Sequence, residues 1–465
     1  MSELHVVILA AGKGTRMKSD LPKVLHPLAG RPVISHVLRT ARSLDAATTT
    51  LVVGHGADGV RKALEDWPAL QFVVQSPQLG TGHALLQAEA ALAGRRGTVL
   101  LLYGDVPLLE PATLDRLLER HRTSRAAATV LTADVPDPYG YGRIVRDDAG
   151  QITRIVEERD ASAAERLLKE INSGIYAFDL EPLFASLHAL ATDNAQGEYY
   201  LTDLVAMYRQ NGQAVETLCL ADGAELRGVN TRVDLSDLAA AVRARKARAL
   251  MLDGVTLEDV ATTFVDDDVV VGSDTILGPG VALTGATTIG RHCRIHRGAR
   301  LSDAIIGDHV TVLDHSIIVE SSVGDGASVG PFAHLRPGSA VGEEARVGNF
   351  VELKKTTLGR RSKANHLAYL GDATIGENAN IGAGAITCNY DGQKKHPTTI
   401  GDDVFIGSDS QLVAPIKIGR GAYVAAGSTI THDVPEDALA IARTRQDTKP
   451  GWAAARRARR SGEKH

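Results

Sequence analysis

The sequence predicts a two-part chain: an α/β unit on a mostly parallel sheet, then a parallel β-helix of hexapeptides, with one helix joining them. Three observations carry this reading. Through about residue 230, strand-length apolar runs alternate with helical spacing. Residues 231–252 contain no Gly or Pro. From Val271 onward an aliphatic residue recurs at every sixth position. A length of 465 residues suits two or three domains.

In the first part, His5-Val-Val-Ile-Leu9, Thr50-Leu-Val-Val53, Gln71-Phe-Val-Val74 and Thr98 to Tyr103 read as buried strands. Arg31 to Ser43 and Gly82 to Ala93 read as helices between them. Alternation of this kind implies a mostly parallel sheet covered on both faces, with ligands beyond the carboxyl ends of its strands. The next segment places Val233, Leu235, Leu238, Val242 and Leu250 among arginines and a lysine, a moderately amphipathic connector. The expected divisions are 1–232, a linker helix at 233–253, and 254–465.

The repeats run from Val271 to Leu301, Ile306 to Ile318, Val323 to Leu353, Leu358 to Leu370, Ile375 to Thr387 and Ile400 to Ile430. Each run holds three or six rungs, so register slips fall at one corner of a three-sided coil. The 27 rungs make nine coils. Four residues after each aliphatic come Thr275, Val281, Thr287, Cys293, Ala299, Val310, Ser316, Ser322, Ala327 and similar residues, expected to fill the inner corners. The 46 glycines, about a tenth of the chain, fit the turns. Between Thr387 and Ile400 the step is thirteen, so residues around Cys388 to Pro397 leave the coil as a loop with two lysines, a histidine and a tyrosine.

Chemistry is expected just after the strands. Leu9-Ala-Ala-Gly12-Lys-Gly14-Thr-Arg16-Met17 and Pro22-Lys23 offer backbone N–H groups and two cations, as a triphosphate requires. Gln75, Gly80 and Thr81 suit the edge of a base or ribose. Asp105, in Tyr103-Gly104-Asp105, either caps the helix from Pro111 or holds Mg²⁺; Asn230 is either a second oxygen or the cap of the connector helix. Gly142, Glu157 and Asn172 form a polar set suited to sugar hydroxyls or to structure alone.

In the repeats, His366 lies two past the inward Ala364 and faces outward. It is a surface histidine or, near Arg336, Lys354 and Tyr369, a general base acting on a phosphorylated acceptor. Tyr369 is expected on the same side of the coil as His366, and Lys354 on the next. His292-Cys293-Arg-Ile-His296 has metal-ligand spacing, but an inward Cys293 cannot share a metal with outward histidines. The basic tail at Arg456 to Arg460 reads as a solvated, partly disordered end.

A net charge of −5 gives no general attraction to nucleic acid or anionic membranes. No apolar run approaches the ~18 residues of a membrane span. The N-terminus reads as a strand, not a signal peptide. Three cysteines argue for a reducing, cytoplasmic setting.

Leu9 to Met17, Tyr103 to Asp105, Gln196-Gly-Glu-Tyr-Tyr-Leu-Thr-Asp203, Gly348-Asn-Phe-Val-Glu-Leu-Lys-Lys355 and Cys388-Asn-Tyr-Asp-Gly392 together resemble the bifunctional N-acetylglucosamine-1-phosphate uridylyltransferase/glucosamine-1-phosphate acetyltransferase family. The resemblance implies a Rossmann-like nucleotidyltransferase domain and a left-handed β-helix. It implies acetyl transfer from acetyl-CoA to glucosamine 1-phosphate, then Mg²⁺-dependent uridylyl transfer from UTP, giving a precursor of bacterial cell wall and surface glycans. By motif, Leu9, Ala10, Ala11, Gly12, Lys23, Gln75, Gly80, Thr81, Tyr103, Gly104, Asp105, Gly142, Glu157, Asn172 and Asn230 would bind the nucleotide sugar. Arg16 and Lys23 would be catalytic, and Asp105 and Asn230 would hold the metal. Arg336, Lys354, Tyr369, Asn380 and Lys395 would bind the sugar phosphate, with His366 as base. Ala383, Asn389, Tyr390, Ser408, Ala426 and Arg443 would line the acetyl-CoA site. A homotrimer with a shared acetyl site is expected. Two other plans stay open: a single-activity nucleotidylyltransferase with a regulatory solenoid, as in the glucose-1-phosphate adenylyltransferases, or a metal-binding solenoid like the hexapeptide carbonic anhydrases.

Overall fold

The computed structural model describes residues 3–462. Contacts divide the chain into two compact units, Met1–Ala244 and Arg245–His465.

The first unit is built on a sheet whose path runs Val215–Leu220, Ala128–Asp134, Glu170–Asp179, Thr98–Tyr103, Leu4–Ala10, Thr48–Val53 and Leu70–Val74. Leu4–Ala10 pairs in parallel with Thr48–Val53 and Thr98–Tyr103, so these strands end at one edge. Glu170–Asp179 is inserted antiparallel, and a hairpin of Arg143–Arg146 and Ile152–Val156 attaches to it. The central strands are buried on both faces, which is why they read as continuous apolar runs. Val7, Leu9, Val99 and Leu101 face one core, while Val6, Ile8, Leu100 and Leu102 face the other.

The helix expected over Arg31 to Ser43 spans Val33–Arg42. The one expected over Gly82 to Ala93 does not continue: Thr81–Leu86 is helical, and then Ala88 N–H bonds to Leu85 O at 3.0 Å and Glu89 N–H to Leu86 O at 3.1 Å. These tighter bonds break the helix into a turn, and Ala90–Leu92 forms a separate 3₁₀ turn.

The connector is a helix at Arg232–Leu252. Its amide start is capped by Thr231 and Asp234: Asp234 Oδ2 accepts from Thr231 N–H at 2.8 Å, and Thr231 Oγ1 accepts from Asp234 N–H at 3.1 Å. Leu238 and Val242 pack in the first unit with Met17, Leu28, Val33, Leu108 and Val229. Leu250 belongs to the core of the second. Val233, expected on the apolar stripe, is 69% exposed, because a residue in the first turn precedes the packed face.

The second unit is a left-handed parallel β-helix with three faces. The first holds eleven short strands, from Thr256–Leu257 to Leu439–Ala440. The second holds ten, from Phe264–Val265 to Thr429–Ile430, and the third nine, from Val270–Val271 to Ile416–Ile418. Every expected rung is a strand, and all register slips fall between the second and third faces. Val265, six residues before Val271, is a further rung on the same step, while Leu257 and Ala440 are rungs that the six-residue step did not reach. Ala299, Val310 and Ala327 fill inner corners as expected, but Ser322 does not. The slip before it puts Ser321 inside, and Ser322 begins the next strand. At Gly348 the coils approach so closely that a Cβ would lie 1.9 Å from Asn365 O. Cys293 is buried, as its register requires, with its Sγ 3.0 Å from Gly307 O; His292 faces outward and stacks on His309. The basic tail, expected to be partly disordered, is helical over Trp452–Gly462, with Arg456 lying over the Trp452 ring at 5.1 Å. Three consecutive alanines, strong helix formers, account for it.

Candidate active sites

The strand ends of the first unit surround a cavity of about 550 Å³. Leu9, Ala10, Ala11, Gly12, Lys23, Gln75, Gly80, Thr81, Tyr103, Asp105 and Asn230 line it, as do Lys13, Gln78 and Glu198, which were not singled out from the sequence. Gln78 lies inside the Gln75 to Gly80 stretch, and Glu198 inside the Gln196 to Asp203 motif, so the signal was present.

One wall is pinned by backbone contacts. Tyr199 N–H bonds to Leu79 O at 2.9 Å, Gly82 N–H to Tyr199 O at 2.9 Å, and Gln75 Nε2 to Gly80 O at 2.9 Å. Gly80 has φ 104, and a Cβ there would lie 2.7 Å from Tyr199 O, so only glycine allows this approach.

At the rim, Lys23 Nζ donates to Asp105 Oδ2 in a short contact and to Asn230 Oδ1 at 3.3 Å. Arg16 donates to the same Asn230 oxygen at 2.9 Å. Neither Asp105 nor Asn230 serves as the helix cap that the sequence also allowed. Glu225, not Asp105, meets the start of the Pro111–Ser124 helix, accepting from Glu110 N–H at 3.0 Å. Thr231 and Asp234, not Asn230, cap the connector.

Gly142, Glu157 and Asn172 also converge: a Cβ at Gly142 would lie 3.5 Å from Asn172 Cβ and 3.7 Å from Glu157 Cδ. Burial pushes the Glu157 carboxyl above the usual range, although Thr202 Oγ1 donates to it at 3.3 Å. Tyr103 links this trio to the cavity. Its buried phenol feels Thr81 on one side and Glu157 on the other, and burial raises its pKa. Gly174 makes room for its ring, since a Cβ would meet it at 2.7 Å.

On the β-helix the expected residues fall into two groups. Asn349 pairs with His366, and the Ala364–Ile381, Ile381–Ile406 and Ile406–Val424 pairs extend that row through Ala383, Ser408 and Ala426. This row follows the corner between the first and second faces. Arg443 continues it, its Cδ 3.9 Å from a Cβ built at Gly427. His366 is exposed, and its Nδ1 lies 2.7 Å from Asn349 Oδ1. Asn380 lies outward on the first face, between Lys363 and Phe405.

The other group lies on the second face. Arg336 pairs with Lys354, and Lys354 with Gly371. Tyr369 precedes the inward Leu370 on this face, which corrects its expected place beside Ala364. Tyr369 immediately precedes its rung, so it belongs to the strand it enters, whereas His366 belongs to the strand of Ala364. Arg336 bonds to Glu352 at 2.8 Å. Lys354 Nζ lies 3.0 and 2.8 Å from the two oxygens of Asp372. Asn389 is buried, and its amide donates to Asp372 at 2.5 Å. A Cβ at Gly371 would strike both Tyr369 Oη and Asn389 Nδ2, so this glycine leaves space for them. The inserted loop turns back through a bridge between the 60%-exposed Tyr390 and Lys395. Asp391 holds its tip, its carboxyl lowered to about 2 by Lys394 N–H, His396 and Gln393 N–H. The structure therefore does not gather His366 with Lys354. They stand at opposite edges of one face, five residues apart in register.

Residues 6–174 match the model of a MobA-like NTP transferase domain. Residues 260–357 match that of a GMPPB C-terminal domain, and 397–432 that of the bacterial transferase hexapeptide. The chain is 51% identical over 452 residues to the bifunctional protein GlmU of Pelobacter propionicus, covering 97% of this chain and 98% of that one. Identity to the namesake of Shouchella clausii is 49%, covering 97% and 99%.

The chain belongs to the bifunctional GlmU family.

As a GlmU-family enzyme it combines a uridylyltransferase with a hexapeptide acetyltransferase, and it acts on nucleotide-sugar substrates. The cavity lies in the unit that matches the NTP transferase model, and the His366 row and the Lys354 cluster in the hexapeptide unit. Family likeness thus separates the two open plans from this one. Among the described residues no group of three or more His, Cys, Asp or Glu could hold a metal ion, and no helix is long and apolar enough to cross a membrane.

Proposed function

We propose that the second unit moves the acetyl group of acetyl-CoA to the amine of glucosamine 1-phosphate, and that the first unit joins the product to UTP, releasing pyrophosphate and UDP-N-acetylglucosamine. The observation that carries the nucleotidyl half is the rim cluster, where Asp105 and Asn230 turn oxygens onto one ammonium beside a neutral cavity.

That cluster fits a divalent cation: one carboxylate and one amide oxygen already converge on a positive charge, the hard oxygen donors that Mg²⁺ takes. When bound, Mg²⁺ would supply charge neutralisation on the phosphates. Leu9 to Gly12 present backbone N–H groups to the uridine side, with Gln75, Gly80 and Thr81 forming the far wall. Gly142, Glu157 and Asn172 orient the sugar, with Glu157 accepting from its hydroxyls. The sugar phosphate oxygen attacks the α-phosphorus of UTP, and pyrophosphate leaves with the bonding electrons. Arg16 and Lys23 stabilise that departing charge.

In the acetyl site, Arg336, Lys354, Tyr369, Asn380 and Lys395 hold the phosphorylated acceptor. Ala383, Asn389, Tyr390, Ser408, Ala426 and Arg443 line the acetyl-CoA site. His366 Nε2 takes a proton from the attacking amine, the nitrogen lone pair adds to the thioester carbonyl, and coenzyme A leaves as the thiol. Because His366 and Lys354 occupy opposite edges of a face, we propose a homotrimer in which neighbouring chains complete each acetyl site. Free thiols at Cys219, Cys293 and Cys388 support a cytoplasmic setting.

The test supplies purified protein with acetyl-CoA and glucosamine 1-phosphate, then with UTP and Mg²⁺, and follows coenzyme A and pyrophosphate release. Both are expected. Pyrophosphate without coenzyme A would leave the solenoid a non-catalytic role.

A further inference from the structure

Three parts of the acetyl site meet on a residue not yet given a role. Asp372 follows the Tyr369–Gly371 strand at a corner, with φ 49. Its carboxylate accepts from Lys354 Nζ at 3.0 and 2.8 Å, and from the Asn389 amide at 2.5 Å. Its backbone N–H donates to Lys354 O at 2.9 Å, and its carbonyl accepts from Thr398 N–H at 3.1 Å. Asn389 opens the inserted loop and Thr398 closes it, so both ends of that loop are tied to one residue.

The charges give this tie a second consequence. The Lys395 ammonium is destabilised chiefly by Lys354, while Lys354 is stabilised chiefly by Asp372. Burial pushes the Asp372 carboxyl up, but Lys354, Asn389 and Lys395 together outweigh it and hold the carboxyl below its usual range. One carboxylate therefore offsets two like charges that would otherwise repel each other.

We propose that Asp372 is a positioning residue of acetyl transfer: it holds Lys354 and the loop carrying Lys395 so that both ammonium groups stay charged and face a phosphorylated acceptor. This rests on the assignment of the acetyl site above. Lys354 and Lys395 meet the acceptor; Asp372 acts through them.

The experiment measures acetyl-transfer kinetics against pH for the full chain, Asp372→Asn, Asp372→Glu and His366→Ala, with uridylyl transfer as the internal control. Asp372→Asn is expected to raise KM for glucosamine 1-phosphate roughly ten- to a hundredfold, the scale of a lost hydrogen bond to a charged group. It should also shift the alkaline limb of kcat/KM to lower pH, because Lys395 loses its proton more readily without the carboxylate. Asp372→Glu should return the limb and part of the KM. A KM within twofold of wild type with an unmoved limb overturns the proposal. So does a fall in kcat alone, which marks a merely structural tie. If wild type transfers no acetyl group, or His366→Ala transfers it normally, the site assignment fails and this proposal with it. Wild-type turnover abolished by His366→Ala, beside an unaltered Asp372→Asn, defeats only the role of Asp372.

Discussion

His366 Nδ1 lies 2.7 Å from the Oδ1 of Asn349, its register partner on the preceding coil. An amide oxygen only accepts, so Nδ1 carries a proton, and in the neutral ring the lone pair then lies on Nε2. The partner is neutral, so it orients the ring without adding charge. Asn349→Ala should lower acetyl-transfer kcat about tenfold, the lower end of what a mispositioned orienting partner costs. His366→Ala should cost roughly 10²–10⁴-fold. Asn349→Asp should favour the imidazolium and move the acid limb of kcat/KM to higher pH. Rate profiles of the three variants check this, and an unmoved limb in Asn349→Asp excludes the orienting role.

Asp105 touches Lys23 and faces the cavity. Asp105→Ala removes the only carboxylate of the Lys23–Asn230 cluster. Uridylyl transfer should fall by several orders of magnitude while acetyl transfer persists, because on the proposed assignment the cation that would offset charge growing on the phosphates loses its carboxylate ligand. Substantial Mg²⁺-dependent turnover in this variant would falsify the assignment.

Glu157 supplies a pH dependence with a definite sign. Burial raises its pKa in the folded protein, so it protonates at a higher pH than an ordinary glutamate at about 4.3. The charged acceptor is present above that raised value and lost as pH falls through it. KM for N-acetylglucosamine 1-phosphate should therefore rise on acidification earlier than an exposed glutamate would allow. Glu157→Gln cannot titrate, so the ratio of its KM to that of wild type should lose this component. Parallel pH profiles for the two proteins would remove Glu157 from sugar recognition.

The packing of Leu238 and Val242 changes where the activities should be cut apart. A fragment ending at 232 would strip both side chains from the cluster of Met17, Leu28, Val33, Leu108 and Val229. Each buried aliphatic is worth about 1.5–3 kcal/mol. A fragment of residues 1–244 should keep uridylyl transfer, lack acetyl transfer, and melt above a fragment of residues 1–232. Calorimetry of the pair decides the point; equal melting temperatures would mean that the helix contributes nothing to this unit.

What the sequence showed follows from which constraints are local. The rungs were legible because the inward side chains are aliphatic at every rung but Thr387, and a slip can occur only at a corner. Leu257 escaped because it stands eight residues before Val265, so the first turn breaks the period. Arg16 and Asp105 were legible because one sits in a glycine turn and the other follows a strand, and Lys23 because Pro22-Lys23 completes the same motif. The convergence of Arg16 and Lys23 on Asn230 was not, since it joins residues more than 200 positions apart. Asn349 lay inside the Gly348 to Lys355 motif and Asp372 two residues past the Leu370 rung, yet their partners stand one coil away, 17 or 18 residues along the chain. Only the exact register reveals such pairs, and the misplacement of Tyr369 shows how little slack that register allows.

The same register argues for a trimer. Five residues, at most about 18 Å of extended chain, separate the position of His366 from that of Gly371, the pair of Lys354. The two groups occupy opposite edges of the second face, and the inserted loop projects from the Lys354 side. Among the described residues no element of the chain folds His366 back across its own flat face. In the proposed trimer, three chains about a threefold axis would bring the His366 edge of one against the loop edge of the next, a closed heterologous ring. His366→Ala and the double variant Asn389→Ala with Tyr390→Ala should then each be inactive in acetyl transfer alone. Mixed trimers of the two should regain activity, since some interfaces pair two intact halves. Light scattering should give a trimeric mass for each parent and for the mixture. A monomer with full acetyl activity, or mass-verified mixed trimers with no recovery, would place the whole site on one chain.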